Sequence, residues 1–137
     1  MVSPAEDPLP LGQGRGEGVV RRIVRSFGFA LAGLAVLVRT QPNVWVHIAL
    51  ACLALALCVL LGLAPVEVAV VVITIGLVLA AEAANTAIEA LCDLISPDYH
   101  PLVRSAKDLA AAGVLISALA AVGVAVALFL PRVLARL

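Results

Sequence analysis

The sequence predicts an all-α membrane protein: an N-terminal amphipathic surface helix followed by three transmembrane helices. Three observations carry that expectation. Of 137 residues, 64% are hydrophobic and 13% charged, and mean hydropathy is +1.16, whereas a soluble globular chain is about one quarter charged. Three stretches are long enough to cross a bilayer: about 44–63, 66 to about 89, and 109–130. The last is an uncharged run of about 22 residues, where about 20 suffice. The cations are also unevenly placed. Arg15, Arg21, Arg22, Arg25 and Arg39 precede the first span, Arg104 and Lys107 separate the second from the third, and only Arg132 and Arg136 follow. Because cytoplasmic loops carry the excess of Lys and Arg, this sets the N-terminus and a loop from about Cys92 to Lys107 in the cytoplasm, with the C-terminus external.

In chain order, residues 1–18, "MVSPAEDPLPLGQGRGEG", are rich in Pro and Gly and lack periodicity, which predicts a flexible tail. Its glycines do not make a phosphate loop, since no strand precedes them and no Gly-Lys-Ser/Thr follows. The acidic opening, and a first long apolar run that begins after position 40, argue against a cleaved signal peptide. Over 19–39, Val20, Ile23, Val24, Phe27, Leu31 and Leu34 oppose Arg21, Arg22, Arg25 and Ser26 at helical spacing. Such a helix suits the cytoplasmic interface, with its arginines near headgroup phosphates. Pro42 then redirects the chain and Trp45 anchors the entry to the first span, 44–63, beside Asn43 and His47. The cation-free turn "GLAPVE" leads to the second span, which has no helix breaker over 66–95 and stops at "SPDYHP". The third span, 108–130, opens with Lys107 and Asp108 and continues in Ala, Gly and Ser spaced for close helix packing. Residues 19–137 thus read as one membrane domain. Cys52, Cys58 and Cys92 lack metal-ligand spacing and are expected to be small packing residues. With zero net charge, nothing argues for nucleic acid as a partner.

One stretch departs from this apolar pattern. In "AEAANTAIEALCD", positions 81–93, Glu82, Asn85, Glu89 and Asp93 fall on a single helix face within an arc of about 80°. An ionised Glu82 facing lipid would cost up to about 3 kcal/mol, so it must face protein, water or a ligand. Interhelical glue is the plainer alternative, but such glue is usually Ser, Thr, Asn or Gln, and three carboxylates repel unless a cation joins them. Glu89 and Asp93 offer the hard oxygens that Mg²⁺ takes while also holding a nucleotide's phosphates. Lys107 adds a point positive charge from the start of the neighbouring helix. Carboxylates, magnesium and a lysine together point to phosphoryl transfer, in which catalysis is positioning, charge neutralisation and one base for the attacking hydroxyl. Glu82, deepest in the stripe, is the base placed to meet a lipid hydroxyl.

"EAANTAIEALCD" followed by "HPLVRSAKDLAAAGVLISA", supported by "SFGFALAG" and "NVWVH", resembles the small bacterial membrane lipid kinases, diacylglycerol kinase and undecaprenol kinase, over about residues 22–130. The resemblance implies a homotrimer in the bacterial cytoplasmic (inner) membrane, with active sites shared between neighbouring subunits. It implies transfer of the γ-phosphate of MgATP to a membrane lipid alcohol, giving phosphatidic acid or undecaprenyl phosphate. By the same resemblance Glu82 is the catalytic base, Asn85 its polar partner and Glu89 a metal ligand. Lys107 and Asp108 contact the nucleotide, as do Asp93, Asp98, Tyr99, His100 and Arg22.

Two positions depart from the family pattern. Gln41 stands where the family commonly has a glutamate that joins Glu89 on the metal, so its amide oxygen coordinates without charge or Asp93 shares the role. Phe29 stands where some members carry a tyrosine near the nucleotide. "NVWVH" leans toward the undecaprenol kinase branch. Two other function classes remain in play on sequence: a small transporter or proton relay, and a non-catalytic assembly subunit with the same fold. A relay would spread polar groups through the membrane's depth, whereas the centres of all three spans here are apolar.

Overall fold

A computed structural model describes residues 18–96, 98 and 100–137. The tail expected over residues 1–18, apart from Gly18, lies outside the described residues, as does Tyr99. Four helices follow one another: α1 (Val19–Thr40), α2 (Pro42–Leu61), α3 (Pro65–Ile95) and α4 (Pro101–Leu134). Each of the four is long and apolar enough to cross a membrane by length and composition, α1 included. The described residues divide into two units between Ala35 and Val36. The first holds α1 up to Ala35, a helix whose side chains there are all exposed. The second runs from Val36 through the last turn of α1 and all of α2, α3 and α4.

Proline and glycine set the corners of the second unit. Pro42, Pro65 and Pro101 each occupy the first turn of a helix, where the missing N–H would have had no intrahelical partner. Gly62, at φ 66°, ends α2 in the left-handed conformation. Its N–H reaches Val59 O at 3.2 Å and Leu63 N–H reaches Cys58 O at 3.0 Å, the double closure that favours glycine here. Glu67 then reaches back from the first turn of α3 to accept a hydrogen bond from Ala64 N at 2.7 Å.

Where the sequence places the third span from Lys107, α4 begins at Pro101, so the connection from α3 is only the short stretch after Ile95. The reason is local: His100 caps the helix, its Nδ1 accepting from Leu102 N at 3.3 Å, and Pro101 is preset for the helical φ. Lys107 therefore lies in the second turn of α4 and not at its start.

α3 and α4 make the most extensive contact, with α2 packed against both. Cys58, Val71 and Phe129, one from each helix, form a buried cluster near the α2–α3 turn. At that same end Arg132 grips Glu67 through both carboxylate oxygens, at 2.7 and 2.8 Å. Arg136 donates to Leu60 O at 2.9 Å. The end of α4 is thereby tied to the turn joining α2 and α3. Of the cysteines, Cys58 and Cys92 are buried as expected of packing residues, whereas Cys52 is exposed on this chain.

Candidate active site

Helical periodicity puts Glu82, Asn85, Glu89 and Asp93 on one face of α3, and their exposure rises steadily along it. Glu82 is 3% exposed and Asn85 8%, Glu89 is half-buried, and Asp93 is exposed. Glu89 is the junction of the group. Its Oε1 accepts from Asn85 Nδ2 at 3.0 Å, one helical turn away, and its Oε2 accepts from Gln41 Nε2 at 3.3 Å, from the corner between α1 and α2. Asn85 Oδ1 is buried with no hydrogen-bond partner. An acceptor left in that state costs free energy until a donor reaches it, so its persistence marks a place where a ligand or water donates.

Gln41 is aimed at Glu89 by its corner. Its N–H still bonds to Leu37 O at 3.0 Å, closing α1, while its extended φ and ψ of −110° and 105° turn the chain. Residues before proline are driven to this extended region by the ring that follows. Trp45 braces the turn by donating its indole N–H to Val38 O at 3.2 Å, one of the carbonyls that the end of α1 leaves without an intrahelical donor.

Beyond Asp93 the stripe opens into a cleft of about 350 Å³ between the end of α3 and the start of α4. Asp93, Asp98, His100, Lys107 and Asp108, five of the residues expected to meet a nucleotide, all line it. Lys107 Nζ lies 2.5 Å from Asp93 Oδ1, joining α4 to the stripe. Arg22 is on α1 in the first unit, where its carbonyl accepts from Ser26 Oγ at 3.0 Å. Ser96 and Arg104 also line the cleft and escaped the sequence reading. The signal for Arg104 was present, since it precedes Lys107 by three positions and so shares its helix face.

The donor set fits a hard cation held jointly with a nucleotide. Glu89 brings carboxylate oxygens, and a half-turn of the Gln41 amide exchanges its nitrogen for its oxygen at the same place. Mg²⁺ commonly takes one or two protein ligands and leaves the remainder to phosphates and water. Among the described residues no group of three or more His, Cys, Asp or Glu forms a cage of its own.

The chain is similar to known proteins over most of its length. The family model described as prokaryotic diacylglycerol kinase matches residues 28–129. The undecaprenol kinase of Bacillus subtilis is 35% identical over 82% of this chain and 92% of its own. The diacylglycerol kinase of Synechocystis sp. is 37% identical over 98% of this chain and 78% of its own. A shorter match, 48% identical over 34% of this chain and 38% of the relative, is to the diacylglycerol kinase of Escherichia coli.

Proposed function

Because the chain belongs to the prokaryotic diacylglycerol kinase family and is an ATP-dependent membrane lipid kinase, we propose that it transfers the γ-phosphate of MgATP to the hydroxyl of diacylglycerol or undecaprenol. The observation that carries the chemistry is the buried pair Glu82 and Asn85 beside a Glu89 that both Asn85 and Gln41 contact. Glu82 takes the proton of the lipid hydroxyl as its oxygen bonds to the γ-phosphorus. The bond from that phosphorus to the β,γ-bridging oxygen breaks, and ADP leaves with the electron pair. Asn85, tethered to Glu89 through Nδ2, steadies that carboxylate, and its unpartnered Oδ1 is an acceptor for Glu82 once that carboxyl has taken the proton. Glu89 and Gln41 would hold Mg²⁺, which neutralises charge on the phosphates when bound. Asp93, Asp98, Tyr99, His100, Lys107 and Asp108 serve the nucleotide, with Arg22 contributing from α1.

The wider arrangement belongs to the same proposal. Residues 19–137 form the kinase domain, with α1 on the cytoplasmic surface and α2 to α4 crossing the inner membrane. The arginines of α1 favour that placement, since a spanning segment would have to bring Arg21, Arg22 and Arg25 through hydrocarbon. The N-terminus and the cleft face the cytoplasm, the C-terminus lies outside, and three chains assemble with shared sites.

Purified protein in detergent, supplied with labelled ATP, Mg²⁺ and either diacylglycerol or undecaprenol, tests the central claim. Labelled phosphatidic acid or undecaprenyl phosphate is the expected product. Absence of both, with the protein folded, would overturn it.

A further inference from the structure

Along α3 one face changes character without a break. Val71, Ile75, Val78, Glu82, Asn85 and Glu89 recur at alternating steps of four and three residues, so they form one line on the helix. Its polar part is the stripe of the candidate active site. Its apolar part is the floor of a groove of about 280 Å³ between α2, α3 and α4, walled by Ala51 and Ala54 from α2 and by Ala118, Ala121 and Ala125 from α4. Val71 and Phe129, members of the buried cluster near the α2–α3 turn, form its outer end. His47 lines the opposite end. There α2 and α3 run antiparallel, since Gln41 meets Glu89 while Cys58 clusters with Val71. Six residues inward from the first of these contacts on both helices, His47 comes level with Ala83, next to Glu82.

Shape and chemistry together select a hydrocarbon chain. From Val71 to Leu79 the groove follows about 12 Å of helix. At its volume it is too narrow for another helix, which with side chains measures about 10 Å across. The lining is apolar apart from His47 and Thr74, and the Thr74 hydroxyl already donates to Val70 O at 2.8 Å. Past the His47 end, the same line of α3 carries the buried Glu82 and the buried Asn85 with its unpartnered Oδ1. An apolar trough that leads to a buried carboxylate and a waiting acceptor has the polarity of a lipid alcohol, tail along the trough and hydroxyl at its inner end.

We infer that this groove is the tail-binding site for the lipid acceptor: the stretch of chain nearest the hydroxyl lies between α2 and α4 along Val78, Ile75 and Val71, and so holds the hydroxyl against Glu82. The inference rests on the reading of Glu82 as the base. Leaving the bilayer for the groove gives a tail no hydrophobic gain, because lipid chains are as apolar as the lining. The groove therefore contributes orientation, fixing where the hydroxyl stops, and its effect belongs in kcat/KM for lipid. Its five alanines keep it open, so a larger side chain in their place fills it.

Photolabelling reads the site without turnover. A diacylglycerol and a farnesol, each carrying a diazirine at the end of a tail, are irradiated with the full-length protein in detergent, and the labelled residues are mapped by mass spectrometry. Label should fall at the outer end of the groove, on Leu57, Ala125 or Phe129. Excess unlabelled lipid alcohol should displace it and phosphatidylcholine should not, and it should be lost in Ala54→Phe. With the lipid that the parent protein phosphorylates, the same variant should lower kcat/KM for lipid about tenfold to a hundredfold, leaving KM for MgATP and the assembly's mass in light scattering unchanged. Ala121→Leu fills the groove from α4 and should give the same readings, which keeps the test open where Ala54→Phe fails to fold. Label spread over the outward faces of the helices, or displaced equally by phosphatidylcholine, would overturn the inference. So would a changed number of chains in both variants, which would show that a second copy of the chain faces the groove. Groove labelling without phosphorylation of either lipid would refute the kinase reading and leave a lipid-alcohol site standing, and phosphorylation without groove labelling would do the reverse.

Discussion

Removing the charge of Glu82 while keeping its shape separates the two jobs open to a buried carboxylate. A base is lost in Glu82→Gln, but the volume and hydrogen-bonding capacity at this 3%-exposed position are kept. Phosphoryl transfer should fall by about 10² to 10⁴, the usual contribution of a positioned base, with the size-exclusion profile unchanged. Turnover like the parent's at neutral pH would assign the proton elsewhere. Glu89 and Gln41 make a graded comparison. Glu89→Gln leaves two amides at the contact and should nearly silence the enzyme. Gln41→Glu adds a second charged oxygen and should lower modestly the Mg²⁺ concentration for half-maximal rate, because the nucleotide's phosphates supply most of the ion's ligands. An unmoved midpoint in a Mg²⁺ titration would mean that position 41 does not approach the metal and would turn attention to Asp93. The sequence made the stripe legible because helical periodicity alone brings 82, 85, 89 and 93 together. It did not show that Asn85 spans to Glu89, or that Asp93 is taken up by Lys107, since both depend on rotamers and on the neighbouring helix.

At the scale of elements, the helices were readable from their apolar runs and the corners less so. Pro42, Pro65 and Pro101 all stand at the first helical turn. At Pro101 the charged residues behind it masked the signal: Arg104 reads as loop and Lys107 and Asp108 as the opening of the span, yet all three lie within the opening turns of α4. A helix end that projects past the apolar layer has no reason to be apolar, so hydropathy places its start too late. The clasp of Arg132 on Glu67 was also hidden, being a contact between positions far apart in sequence. Arg132 Nη2 meets both carboxylate oxygens while Nη1 holds Leu128 O, so one guanidinium ties the turn to α4. Glu67→Gln should therefore lower the thermal unfolding midpoint in detergent while leaving KM for MgATP unchanged, since the cleft lies at the other end of α3. A double-mutant cycle with Arg132→Gln checks the coupling: additive losses would show that the two side chains contribute independently.

For the molecule as a whole, the described residues leave much of their apolar surface open, including Val59 at 81% and Leu94 at 80% exposure. Lipid tails satisfy such side chains, and so would other copies of the chain in the proposed trimer, against which the small residues of α4 would allow close approach. Light scattering of the detergent-solubilised protein should give the mass of three chains, and a monomer as the active species would refute the shared-site arrangement. Fold class and family were legible from composition and from two motifs, whereas the number of chains is not written in any one chain's periodicity. The spacing of charge along α3 has a further consequence. Between Glu67 and Glu82 the helix rises only about 22 Å, against a hydrocarbon layer of about 30 Å. Glu82, shielded by protein at 3% exposure, can therefore stay below the headgroup layer, so that a lipid's hydroxyl has to come down to it. A thinner bilayer would shorten that descent, which ties substrate delivery to membrane thickness. Activity in vesicles should be greatest with short acyl chains and should decline as the membrane thickens, and a rate indifferent to chain length would show that Glu82 meets its substrate without deforming the bilayer.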